Sequence, residues 1–165
     1  MKFATLTLSF ILICNVAAAA DDPSTVCARR VAGDPQFSAL AQKLPLDLHM
    51  PSFQMLADDS FPTPAERTSL GRWMTAEKAC IKQGDTYRRS HYPHELIALA
   101  ADAEARVAAV AIALYNKQIQ YGTANQDLLA IYGDVTAQYE AIVTRLNAEH
   151  TTRPPAAPAA VPAPQ

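Results

Sequence analysis

"YGTANQDLLAIYGDVTAQYEAIVTRLNAEH", residues 121 to 150, decides the fold. Within it Leu128, Tyr132, Val135, Tyr139, Ile142 and Leu146 recur at alternating steps of four and three. That is the spacing of a helix packed lengthwise against partners, not the period of two of a strand. Gly122 reads as a break, and Thr123 with Gln126 forms a capping pattern, so the helix is expected from there to about His150. Upstream, Pro93 opens a second long helix expected to reach about Tyr121. The two make a helical hairpin with arms roughly 40 Å long at about 1.5 Å per residue.

The first arm invites a membrane reading, because only Asp102, Glu104 and Arg106 interrupt the apolar run from Leu96 to Tyr115. Three central charges cost roughly 8 kcal/mol on the insertion scale, whereas the Leu, Ile and Val residues there return about 3 to 4 kcal/mol. The run therefore reads as an alanine-rich helix touching neighbours on several sides, with the charges marking one exposed or paired edge.

Ahead of the hairpin, "TPAE" at 63–66 combines Thr63 as N-cap, proline at the first helical position and Glu66 three residues on, a capping box. From there Leu70, Trp73, Met74, Cys80 and Ile81 line one face of a helix expected to stop near Gly84. The residues "LPLDLHMPSFQMLADDSFP", 44–62, carry three prolines and no sustained period, so they read as an apolar connector with one helical turn around Phe53 to Ala57. Before it, Asp22-Pro23 and Asp34-Pro35 each place an acceptor at an N-cap and proline at the next position. Two short helices follow, the first ending at Gly33 and the second, through Phe37, Leu40, Ala41 and Leu44, at Pro45.

Residues 1–20, "MKFATLTLSFILICNVAAAA", read as a secretory signal peptide: one basic residue, an apolar run, then small residues ending at Ala20. Cys14 lies inside that run behind Ile13, which does not suit lipid attachment. Cys27 and Cys80 are then the two cysteines of the mature chain, and an even pair in an exported protein predicts a disulfide joining the first helix to the Thr63-capped one. Such a staple matters here, because Leu, Ile, Val and Phe make up only roughly a fifth of the mature residues, a thin supply for a core. Residues 151–165, "TTRPPAAPAAVPAPQ", hold too many prolines to prolong a helix and are expected to be extended and disordered. The chain is thus expected to be all-α: a leader at 1–20, a small helical bundle at 21–150 with a long C-terminal hairpin and disulfide-stapled short helices, and a Pro/Ala-rich tail at 151–165.

Without the leader the chain has 13 basic and 16 acidic residues, interspersed along its length. No basic patch invites nucleic acid, and no run of cations suits a membrane surface. "SHYPHEL", 90–96, is the densest chemical cluster. His91 and His94 could share copper or zinc, with His49, a methionine or Glu95 completing the sphere, although no zinc-motif spacing is present. The structural alternative gives Pro93 and Glu95 to helix initiation, with both histidines solvated.

Glu77 falls on the apolar face of its helix, where a carboxylate needs a partner or water. Paired with Arg88, Arg89 or Arg106 it would form either a buried acid and cation site or a structural ion pair. Tyr115, Tyr121, Tyr132 and Tyr139 straddle the hairpin turn and could present a ligand surface or pack with hydroxyls at the rim. Three functions follow: a non-enzymatic periplasmic module binding a protein or envelope component, a metal-binding protein using His91 and His94, and a small helical enzyme using Glu77 and an arginine. The first is the leading expectation, because no nucleophile, second carboxylate or phosphate loop accompanies Glu77.

Overall fold

The computed structural model describes residues 22–46 and 50–152, and these contain helices and loops with no strand among them. The helices are α1 (Pro23–Ala32), α2 (Ser38–Ala41) entered through a 3₁₀ turn at Pro35–Phe37, α3 (Phe53–Leu56), α4 (Pro64–His91), α5 (His94–Tyr115) and α6 (Tyr121–Thr152). The leader, residues 47–49 with His49 among them, and residues 153–165 lie outside the described residues, and Thr151 and Thr152, expected to open the extended tail, instead close α6. Among the described residues no helix is long and apolar enough to cross a membrane. The chain is all-α, a small bundle with a long C-terminal hairpin.

Local chemistry sets most of the helix starts. Asp22 accepts from the Ser24 N–H at 2.8 Å to cap α1, and Asp34 caps the 3₁₀ turn through the Gln36 N–H at 3.0 Å. Ser52 caps the single turn of α3 through the Met55 N–H. At α4 the capping box is complete: Thr63 Oγ1 accepts from the Glu66 N–H at 3.3 Å while Glu66 accepts from the Thr63 N–H at 2.8 Å. These motifs act within four residues, which is why the sequence announces them.

Two stops expected from the sequence are not stops. The helix begun at Thr63 passes through Gly84 and runs on to His91, because Gly84 serves a tertiary contact instead. A Cβ there would lie 2.6 Å from Asp22 Oδ1 and 2.7 Å from Ser24 Cβ, so only glycine lets the N-terminal end of α1 sit against α4. Likewise Gly122 does not break the hairpin. The first arm ends earlier, at Tyr115, and the turn at 116–120 includes Lys117 at φ 59°. Gly122 lies inside the first turn of α6, where a Cβ would meet the carbonyl oxygens of Leu56 at 2.7 Å and Asp58 at 2.9 Å.

Cys27 and Cys80 form the expected disulfide, with their Cα atoms 5.2 Å apart, and it fastens α1 to the middle of α4. The core lies at one end of the bundle. Phe37, Leu40, Leu44 and Leu46 from the first part of the chain meet Leu70 of α4, Leu114 of α5, and Tyr121, Ala124 and Leu128 of α6. Along α6 the burial fades with distance from that end: Leu128 is 9% exposed, Tyr139 51%. The four-three spacing continues through both, but past the core α6 packs chiefly against α5. Cross-helix ion pairs hold that far part, Arg106 to Asp134 and Glu95 to Arg145.

Candidate functional site

Three places hold unusual side chains: the connector against α6, the α4 to α5 junction, and the outer side of α4. At the first, the N-terminal turn of α6 takes its hydrogen bonds from the connector, with Tyr121 N–H donating to Ser60 O at 3.1 Å and Gly122 N–H to Asp58 O at 2.6 Å. Asn125, fully buried, donates from Nδ2 to Lys43 O and Met55 O, both at 2.9 Å. Lys43 Nζ reaches Glu66 at 3.0 Å and Ser60 Oγ at 3.2 Å, and sits 4.7 Å from the centre of the Tyr121 ring.

Burial works to raise the Asp58 and Glu66 carboxyls, but hydrogen bonds from Ser60 and Thr63 and the Lys43 charge outweigh it, leaving both below the ordinary carboxylate range. The Tyr121 hydroxyl is pushed far up by burial, with Glu66 and Asp58 adding to the shift. This cluster is a latch. It holds α3 in one orientation, and that turn presents Phe53 to solvent at 81% exposure while its neighbour Met55 is buried at 7%. No local pattern signals it, because Asn125 bonds to Lys43 and Met55, which lie 82 and 70 residues away along the chain.

At the junction, His91 ends α4 and His94 begins α5. The His91 ring stacks on Tyr87 at 3.9 Å, and its Nδ1 lies 2.8 Å from Tyr87 O. The Ser90 hydroxyl lies at the same 2.8 Å from Nδ1, so this nitrogen is engaged by the end of its own helix. Among the described residues no group of three or more His, Cys, Asp or Glu side chains is placed to hold a metal ion. Pro93 takes the N-cap position of α5, one place earlier than the sequence suggested, and Glu95 is drawn into its pair with Arg145.

The acid and cation expected on α4 are not assembled. Arg106 pairs with Asp102 and Asp134, and Arg88 with Asp85 at 2.8 Å and Glu104 at 3.6 Å. Glu77 is half-buried, one carboxylate oxygen has no hydrogen-bond partner among the described residues, and burial raises its pKa. The sign is fixed by that direction. Protonation favours the folded chain, so Glu77 contributes stability that is full below the ordinary glutamate range and lost as pH rises through its raised pKa. Glu77→Gln should therefore raise the melting temperature at pH 7 and leave it unchanged near pH 3, read by thermal denaturation at the two pH values. A melting temperature lowered at pH 7 would instead show that Glu77 is paired in solution.

The four tyrosines do not converge either. Tyr121 is wholly buried, Tyr132 partly buried, and Tyr115 and Tyr139 are 40% and 51% exposed. Tyr115 instead borders the third place, an open groove of about 590 Å³ along α4 that also touches Arg67, Gly71, Arg72 and Thr75. The sequence reading missed this groove, since exposed small residues leave no apolar period to detect. Comparisons with protein-family models, with curated proteins and with solved structures gave no match.

Proposed function

We propose that this chain is an exported, non-catalytic helical module that binds a protein or envelope partner, with residues 1–20 as its leader. The observation that carries the reading is Phe53: an aromatic side chain 81% exposed on a turn that the Asn125, Gly122 and Lys43 contacts hold in place. An exposed phenylalanine on a loose loop costs nothing to explain. One held out by a buried polar latch is pre-organised, and a pre-organised aromatic anchor is what a binding surface uses. The Cys27–Cys80 disulfide is compatible with an oxidising compartment.

The test places a photo-crosslinking phenylalanine analogue at position 53 in the native envelope, with the same probe at exposed Thr136 as the reference. A discrete adduct specific to position 53 is the expected result. Indistinguishable labelling at the two positions overturns the reading.

A further inference from the structure

We propose that the groove between α4 and α5 receives an acidic amphipathic helix from a partner protein. The proposal rests on the partner-binding reading but not on Phe53, so each can fail alone.

The floor of the groove is small and apolar. Gly71, Thr75 and Ala79 follow one another at four-residue steps on α4, and Tyr115 and Ile112 form the α5 wall. The Thr75 hydroxyl donates back to Gly71 O at 2.9 Å, and that of Thr68 to Pro64 O at 3.1 Å, so neither offers an unused donor. A stripe of this kind lets another helix approach closely, and Ile112 and Tyr115, 49% and 40% exposed, leave apolar surface in water for it to cover.

The rim supplies the sign of the partner. Arg67, Arg72 and Lys78 border the groove and, among the described residues, no carboxylate does, in a chain whose formal net charge is −2. Arg72 and Lys78 are exposed and in no ion pair among the described residues, while Arg67 lies 5.9 Å from the Tyr115 ring centre. From Arg67 to Lys78 the rim runs about 16 Å along the helix, roughly three turns. A rod of that length with an apolar stripe between rows of Glu or Asp matches both floor and rim.

Charge argues against the other occupants. The tail, residues 153–165, carries Arg153 and no acidic residue, and a second copy placed groove to groove would bring the same cations together.

The experiment uses the full mature chain and fluorescence anisotropy with a labelled synthetic helix of about 18 residues, Leu on one stripe and Glu on its flanks. A twin with Lys for Glu, a peptide of residues 152–165, and phosphatidylglycerol-containing vesicles are the comparisons. Saturable binding of the Glu peptide is expected, weakening as salt rises. Arg72→Glu with Lys78→Glu should weaken it by roughly tenfold or more, while Arg30→Glu on α1 leaves it unchanged. Both reversed residues are exposed, so an unaltered melting curve verifies that the fold is intact. The proposal is overturned if the double reversal has no effect, if the Lys twin binds as well, or if only the tail peptide or the vesicles bind. A position-53 adduct that persists in the double variant would leave the Phe53 surface standing without the groove.

Discussion

Replacing Cys27 and Cys80 together by alanine should cost the folded chain about 4 kcal/mol, the loop-closure entropy of a crosslink spanning 53 residues. For a domain of this size that corresponds to a fall in melting temperature of roughly 15 °C. The effect is large relative to the whole, since net stabilities of such domains are about 5 to 15 kcal/mol. It is also local in consequence. α1 contributes one buried apolar side chain, Cys27 itself, with Val31 and Ala32 packed partly buried against the core, and its long contact with α4 includes the seat of Asp22 and Ser24 over Gly84 and the Arg88 to Ser24 bond at 3.2 Å. Without the crosslink α1 should detach before the hairpin melts, visible as early hydrogen exchange in residues 23–32 ahead of the rest. Urea denaturation of the parent and the double variant measures the difference, and thiol titration of the denatured parent should find no free thiol. A loss below about 1 kcal/mol would mean that α1 is held by its contacts alone.

Legibility in the sequence followed distance along the chain. The capping box at Thr63, the Asp22 and Asp34 caps, the turn at Phe53 and the alternating stripe of α6 all depend on residues within a few positions, and all are where the residues placed them. Gly84 and Gly122 were misread for one physical reason. Glycine ends helices because it tolerates unusual dihedrals, and it also permits close approach because it lacks a Cβ. Both residues have ordinary dihedrals and serve the second purpose, toward partners about sixty residues away that a local reading cannot see. Glu77 shows the same limit: its helical face was predictable, but each arginine that could have answered it found a nearer carboxylate.

Gly122→Ala should destabilise the chain by about 3 kcal/mol, combining overpacking with strain on two backbone hydrogen bonds. The added carbon would lie 2.7 Å from Leu56 O and 2.9 Å from Asp58 O. Both obstructing atoms are backbone, and they cannot swing aside as a side chain would. Moving them loosens Gly122 N–H to Asp58 O and Tyr121 N–H to Ser60 O, and pulls Met55 O away from Asn125. Gly133, on the same helix with nothing within 4 Å of its would-be Cβ, gives the opposite sign. There alanine replaces glycine in an open helix interior and should stabilise by about 1 kcal/mol. The pair separates close approach from helix propensity, because the chemical change is identical and only the surroundings differ. Denaturant midpoints for both variants decide it, and a stabilising Gly122→Ala would refute the latch. If the latch and the proposed partner surface both hold, the Gly122 variant should also lose the crosslink at position 53 while the Gly133 variant keeps it, because the orientation of Phe53 depends on α3 staying pressed to α6.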